Sequence, residues 1–163
     1  MIVIGIDQAA TSGWAIARRA HGAAKIIESG TVRGAMARRD VIARAVSLGE
    51  PLAAVYEAHT VGGGRHWNPA TILGLGDARG RWLEALELAG VPRRLCIGVE
   101  PYTWRAAMIG RHRLTSDAWK AQSMLACSGR GIAVASDDEA EAVLIALWGA
   151  QHSAEIAKIA GRR

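Results

Sequence analysis

The order of the apolar segments constrains the fold of this chain more than any single motif does. Three short segments rich in β-branched residues come first, and they lack the 3.6-residue period of a helix. Helical segments and further short apolar runs then alternate. Consecutive strands followed by alternating strands and helices predict an α/β fold, with a mixed central sheet flanked by α-helices. The strand-like runs are residues 2–7, 13–19, 24–32, 52–56 and 95–100.

Residues that start or stop helices separate the helical segments. Apolar residues at helical spacing predict an amphipathic helix over 36–47, which Gly49 and Pro51 end. Ser136 and Glu139 fit a capping box, which marks the start of the last long helix. The other predicted segments are helices over 70–89, from 101 and over 116–127, and a short strand or extended link over 129–135.

The predicted helix over 70–89 contains three glycines, Gly74, Gly76 and Gly80. Each costs about 1 kcal/mol of helix propensity relative to alanine. We therefore expect something to approach that face closely. A tightly packed helix, for example from a second subunit, is favoured over a path for a DNA backbone.

Size and charge limit the possible classes of protein. The 163 residues are half hydrophobic, which is enough for one domain over residues 1–163. Lys and Arg exceed Asp and Glu by 20 to 15, and this net charge of +5 favours an anionic partner such as nucleic acid. Only three of the 20 cations are lysines. The bias towards arginine either suits a phosphate-binding surface or reflects a GC-rich coding sequence.

Neither the cysteines nor the N-terminal segment suggests export or a membrane. Cys96 and Cys127 are too few for a disulfide framework and lack the spacing of a zinc site. The apolar run after Met1 reaches a charge at Asp7, so it is too short for a secretory signal or a membrane span. We expect a soluble, cytoplasmic protein of a bacterial cell.

Four acidic residues fall where strands are predicted to end and where the last helix is predicted to start. Asp7 and Glu57 follow the first and fourth strands, and Asp138 and Glu141 lie three apart on one helix face. If the two strands are neighbours, the carboxylates can converge on two divalent ions, as in centres that hydrolyse phosphodiesters. The helix dipole alone also favours acids in a first turn, whereas Glu57 in a central strand needs a partner or a cation.

Several segments occur in the order typical of one family. IVIGIDQAATSGWAIA (residues 2–17) resembles the first hairpin of the RuvC family of Holliday junction resolvases, and residues 52–57 resemble its acid-bearing strand. The spacing in residues 71–80, the Lys-x-Gln segment at Lys120 and the closing segment SDDEAEAVLIALW are similar to further parts of the family. The resemblance spans about residues 1–152, and the compact chain is similar to phage-encoded members.

This resemblance implies a ribonuclease H-like fold and a homodimer that nicks two strands of a four-way DNA junction with Mg²⁺ or Mn²⁺. It implies that Lys120 is a cation near the scissile phosphate. Three features depart from the family pattern: residues 8–10 replace the usual turn, Glu141 stands where many relatives carry Asp, and Thr60 replaces an aromatic residue. The implied ligands of a two-metal site are Asp7, Glu57, Asp138 and Glu141.

Basic and aromatic residues form two candidate DNA-binding clusters. The glycine-rich segment 59–69 is interpreted as a mobile loop, and its His66 or Trp67 could replace the missing aromatic residue. A second cluster, around Gly110, could follow a phosphate backbone. The predicted DNA contacts are Arg65, His66, Trp67, Arg105, Arg111, Arg113 and Lys120.

Other functions remain open from the residues alone. The chain could bind junctions without cleaving them, or it could cleave replication forks or RNA. GIDQAATSGWA is also similar to the phosphate loop of an actin-like ATPase, but such enzymes need two lobes and 163 residues supply one. We therefore expect branched DNA and a second subunit as partners, and no nucleotide cofactor.

Overall fold

A five-stranded sheet forms the centre of the computed structural model, which describes residues 1–20, 22–58, 68–111 and 113–161. The strands are β1 (Ile2–Asp7), β2 (Ser12–Ala20), β3 (Ala23–Val32), β4 (Leu52–Glu57) and β5 (Cys96–Val99). They lie in the order β3-β2-β1-β4-β5. Strands β1, β2 and β3 pair antiparallel, whereas β4 runs parallel to both β1 and β5. The mixed sheet predicted from the sequence is confirmed.

The register of β1 and β4 positions the ends of both strands. Ile6 pairs with Tyr56, so the two parallel strands finish side by side at one edge of the sheet. The condition for Asp7 and Glu57 to converge, that the first and fourth strands are neighbours, is therefore met. Residues 129–135 form no strand and serve as the link that was the other interpretation of this segment.

Helices flank the sheet and match the predicted segments within a few residues. A single 3₁₀ turn, Arg93–Leu95, leads into β5, and the final short helix was not predicted. None of the helices in the described ranges is both long and apolar enough to cross a membrane. The helices are α1 (Ala35–Ser47), α2 (Pro69–Leu88), α3 (Pro101–Met108), α4 (Ser116–Ser128), α5 (Asp137–Gln151) and α6 (Ser153–Gly161).

Helix α5 is buried along most of its length and lies directly on β1 and β2. Two strand glycines permit this approach. A Cβ atom at Gly5 would overlap the backbone of Ala142 and Ala146, and one at Gly13 would overlap the carbonyl group of Asp138. Since backbone presses on backbone here, the first turn of α5 has a fixed position beside the end of β1.

Candidate active site

The sheet edge brings together the first two of the predicted acids. Asp7 and Glu57 are the last residues of the adjacent strands β1 and β4. Glu57 is almost fully buried, and its Oε2 accepts a hydrogen bond of 3.0 Å from the indole N–H of Trp104 on α3. A carboxylate buried in this way needs such partners, because removal from water disfavours its charge.

The N-terminal turn of α5 supplies the other two acids. Ser136 caps the helix, with its Oγ accepting from the N–H of Glu139 at 3.1 Å. The side chain of Glu139 returns to the N–H of Ala135 at 2.8 Å, one residue before the capping-box position, and also accepts from Ser29 at 2.7 Å. Glu139 therefore links α5 to β3 through its hydrogen bonds. Asp138 and Glu141 are the two acids of this turn that can face Asp7 and Glu57.

The electrostatics of Asp7 indicate that the four acids share one region. Burial raises the pKa of Asp7 well above its usual value, and the negative charges of Glu141, Glu57 and Asp138 raise it further. The pKa of Glu141 is raised to about 7, mainly by burial, with Arg105 opposing and Glu57 adding to the rise. The pKa of Asp138 is also raised, by burial and by the neighbouring Asp137. We call these four acids the acidic centre.

Arg105, predicted from the sequence as a DNA contact, lies within this acidic centre. Its Nη2 is 3.2 and 3.3 Å from the two carboxylate oxygens of Glu141 and 3.5 Å from Oε2 of Glu57. The guanidinium carbon lies 5.0 Å from the ring centroid of Trp104 and 5.5 Å from that of Trp119. The arginine thus bridges an acid from β4 and an acid from α5.

Lys120 lies at the edge of the acidic centre. Its ammonium group forms an ion pair with Asp137, and the hydrogen bond to that carboxylate is the main reason that the pKa of Lys120 is raised. Asp138 and Glu141 contribute to the same rise, which places the ammonium within their electrostatic reach. Asp137 is therefore a partner of Lys120.

Of the remaining predicted DNA contacts, two lie in the described ranges and three do not. Arg111 and Arg113 are exposed in the connection between α3 and α4. Arg65, His66 and Trp67, and with them Thr60, lie outside the described residues. For these positions the sequence-based expectations stay predictions.

Two supporting residues were missed by the sequence analysis. Gln8 is buried, and its amide donates to the backbone carbonyl of Glu57 at 2.7 Å, which links the ends of β1 and β4. Trp104 is fully buried and is interpreted from the sequence as a residue of the core or of a dimer interface, yet its indole N–H also donates to Glu57. The available signals were a polar residue directly after Asp7 and a tryptophan directly before a candidate arginine.

The carboxylate oxygens of the acidic centre are the type of donor atom that suits a hard divalent cation. Carboxylate oxygens are the ligands that Mg²⁺ and Mn²⁺ prefer. One cationic group, the guanidinium of Arg105, already lies between Glu57 and Glu141. As the side chains are placed, no three Asp, Glu, His or Cys residues of the described ranges are grouped closely enough to hold an ion.

Comparisons with known proteins agree with this fold. No family model matches the chain. It is 36% identical over 118 residues to the crossover junction endodeoxyribonuclease RuvC of Nitratidesulfovibrio vulgaris (strain DP4), a match covering 68% of each chain.

Two solved structures show the same fold. Thermus thermophilus RuvC has a TM-score of 0.70 at 20% identity, covering 95% of this chain and 96% of that one. T. thermophilus RuvC in complex with a Holliday junction substrate has a TM-score of 0.66 at 17% identity, covering 94% of each. The predicted ribonuclease H-like fold is confirmed. Because the relative from N. vulgaris exceeds 30% identity over two thirds of its length, the chain belongs to the RuvC family.

Proposed function

We propose that this protein is a crossover junction endodeoxyribonuclease that resolves four-way DNA junctions by paired nicks. The convergence of the acidic centre carries the proposal, since Glu141, Glu57 and Asp138 all raise the pKa of Asp7 from two other elements. Membership of the RuvC family supports the same activity. We further propose that residues 1–163 form a single nuclease domain that acts in the cytoplasm of a bacterial cell.

The proposed cofactor is Mg²⁺ or Mn²⁺, held by Asp7, Glu57, Asp138 and Glu141. Two bound divalent ions would activate a water molecule and stabilise the charge on the leaving oxygen. The surrounding residues keep the carboxylates in place. Trp104 fixes the carboxylate of Glu57, and Gln8 fixes its backbone.

Basic residues around the acidic centre would bind the phosphates. Lys120 is about half exposed, and exchange of its Asp137 partner for a phosphate oxygen would bring it to the scissile group. Arg111 and Arg113 are exposed nearby in sequence and would follow the backbone of an arm. Arg65, His66 and Trp67 are proposed contacts at the junction on the basis of sequence alone.

The exposed face of α2 supports a homodimer. Leu73, Gly76 and Gly80 share one helix face, and Leu73 is 73% exposed. Apart from the chain neighbours and the nearby backbone of α2 itself, no described atom lies within 4 Å of a Cβ built on either glycine. Small residues beside an exposed leucine allow two helices to approach closely. A second copy of the chain fits this face because paired nicks need two centres.

The other functions are less well supported. A junction-binding protein without turnover would not need four acids in one region, and the relative from N. vulgaris is named as an endonuclease. A preference for forks or RNA would keep the same centre and change only the substrate.

Cleavage of synthetic DNA tests the proposal. In Mg²⁺ or Mn²⁺ we expect paired nicks on a four-way junction and little cleavage of linear duplex, flap and RNA–DNA hybrid, mapped on labelled strands at stated salt. Asp7→Asn should abolish nicking and keep binding in a gel-shift assay, because it removes one ligand charge without touching the basic surface.

The matched control is Asp40→Asn, which makes the same chemical change on the exposed side of α1. It should leave nicking unchanged. A fully active Asp7→Asn protein would end the proposal, and band shifts without nicks in the unsubstituted protein would favour the silent binder.

A further inference from the structure

Arg105 occupies a position that a metal ion would also need. Its Nη2 contacts both carboxylate oxygens of Glu141 and one of Glu57, the acids that reach the acidic centre from α5 and β4. A guanidinium nitrogen lies about 3 Å from a carboxylate oxygen, whereas Mg²⁺ lies about 2 Å away. Both cations cannot occupy the space between the same oxygens.

The arginine is held in place, but its hydrogen bonding is incomplete. The side chain is 18% exposed and lies over two tryptophan rings. Among the described residues, no hydrogen-bond partner faces its buried Nε. A buried donor without a partner disfavours the arrangement by comparison with one in which the fork is fully bound. A phosphate group accepts from two guanidinium nitrogens at once and would satisfy this donor.

The charge balance points in the same direction. Arginine stays protonated at any pH a protein tolerates, so Arg105 is a permanent single positive charge. It opposes the rise of pKa at both Asp7 and Glu141, which means that it stabilises their ionised forms. When all four acids are ionised, one positive charge offsets only part of their negative charge. Two divalent ions offset it fully and leave the guanidinium repelled.

We propose that Arg105 is an internal counter-cation that fills the acidic centre in DNA-free protein and moves to a DNA phosphate when divalent ions bind. This inference rests on the proposed metal-dependent function. It makes metal binding and DNA binding mutually favourable, because each ligand removes the arginine contact that opposes the other. Without DNA the arginine keeps affinity for the metal low.

Binding of Mn²⁺ to metal-free protein tests this inference without a measurement of cleavage. Titration calorimetry and the electron paramagnetic resonance signal of free Mn²⁺ give the affinity with and without a four-way junction. In that junction, the bridging oxygen at each mapped nick position is replaced by a methylene group, which keeps the phosphate charge and blocks hydrolysis. For the unsubstituted protein we expect the junction to raise Mn²⁺ affinity about tenfold.

Arg105→Gln should bind Mn²⁺ about tenfold more tightly than the unsubstituted protein without DNA, and the junction should add little. Arg93→Gln is the control, since it removes the same charge from an exposed pair with Glu87. It should behave like the unsubstituted protein. Arg105→Lys keeps the charge without the planar fork, so its affinity for Mn²⁺ should lie between those of the unsubstituted protein and Arg105→Gln. If circular dichroism shows that Arg105→Gln does not fold, the comparison of Arg105→Lys with the unsubstituted protein tests the inference.

The possible results separate the two proposals. Equal Mn²⁺ affinity in the folded Arg105 variants and the unsubstituted protein would overturn the role of the arginine and leave the nuclease proposal intact. An absence of Mn²⁺ binding in all of these proteins would overturn both. Tight binding by Arg105→Gln in the absence of DNA would support the inference.

Discussion

Burial is the main cause of the raised pKa of two acids, Asp7 at the C-terminal end of β1 and Glu141 near the N-terminal end of α5. The pKa of Asp7 is raised well above its usual value, and that of Glu141 is raised to about 7, in both cases mainly by burial. Near neutral pH the carboxyl group of Glu141 in the metal-free centre is therefore still partly protonated, whereas a free carboxyl group would have lost its proton. Metal ions bind the ionised forms, so their binding releases the proton from Glu141.

The stability of the metal-free protein should consequently fall as the pH rises from about 4.5 to about 7. In the unfolded chain the carboxyl group of Glu141 ionises near its ordinary value of 4.5, whereas in the folded protein its pKa is about 7. Between these values the folded state binds the additional proton, so the free energy of unfolding decreases with rising pH. Glu141→Gln should reduce this slope, as measured by urea unfolding in a chelator at several pH values.

Saturating Mn²⁺ provides the control for this experiment. The ion favours the ionised carboxylates in the folded state, and the loss of stability with rising pH should become smaller. An identical slope for the unsubstituted protein and Glu141→Gln in the chelator would contradict the assignment of the raised pKa to Glu141.

At the scale of single residues, the sequence indicates some of the acidic centre but not all of it. Glu57 could be recognised because a carboxylate at the end of an apolar strand needs compensation. The bridge from Arg105 to Glu57 and Glu141 could not be recognised, since it depends on how α3 packs beside α5. In a linear sequence Arg105 resembles any other cation near Arg111, and only burial distinguishes the two.

Among the secondary-structure elements, helix α5 sets the positions of two of the four acids, Asp138 and Glu141. Its first turn is fixed by the Ser136 cap, by the bonds of Glu139 and by the close contact between Gly13 and the carbonyl group of Asp138. These constraints act on the backbone. A change that lifts the N-terminal end of α5 should therefore disturb Asp138 and Glu141 together.

Gly13→Ala tests this constraint. The added methyl group would overlap the carbonyl group of Asp138, so we expect the free energy of unfolding to fall by about 1–3 kcal/mol. Affinity for Mn²⁺ should fall too, because the start of α5 must shift. Urea unfolding and titration calorimetry measure the two effects.

The matched control is Gly74→Ala, where no described atom other than those of the chain neighbours and the nearby α2 backbone lies within 4 Å of the new Cβ. There the gain in helix propensity should raise stability by up to about 1 kcal/mol. If Gly13→Ala proved as stable as this control, α5 would be freer to move than the packing indicates.

Elements with strong local signals could be predicted, and those held by few tertiary contacts could not. The cap of α5 was indicated by Ser136 and Glu139, and the end of α1 by Gly49. Helix α6 spans only nine residues and directly follows α5, so the sequence offers little to separate it from the helix before it. Residues 129–135 contain apolar residues that fit either a strand or a link, and only the complete sheet distinguishes these interpretations.

At the scale of the whole molecule, the exposed face of α2 should mediate self-association. Leu73→Glu would place a charge on a face that the proposed dimer buries. We expect the dissociation constant to rise at least about tenfold, as measured by sedimentation equilibrium. Coordinated nicking of both strands of a junction should weaken in parallel.

Leu125→Glu serves as the comparison, because Leu125 is 61% exposed on α4. It should leave self-association unchanged. A protein that stays dimeric with Leu73→Glu and becomes monomeric with Leu125→Glu would place the interface at α4 instead of α2.

The mixed character of the sheet was accessible from the sequence, whereas its strand order and the relation between copies of the chain were not. Three consecutive strands followed by alternation leave few topologies, and a neighbouring β1 and β4 is one of them. The glycines of α2 indicated a close approach, but a single chain does not reveal which surface they face. Their openness in the folded chain became evident only when every other element was in position.

The close packing of α5 against Gly5 and Gly13 also limits how the acidic centre can be redesigned. Where a helix contacts a sheet through backbone atoms, no flexible side chain lies between them. A shift of α5 to suit a larger or smaller ion would therefore be opposed by direct backbone contact. With the proposed ligand set, retuning of ion preference would therefore depend on side-chain length and torsion at positions 7, 57, 138 and 141 rather than on movement of α5. Glu141 has one more rotatable bond than an aspartate, so under the proposed ligand set it would be the more adjustable of the two acids on α5.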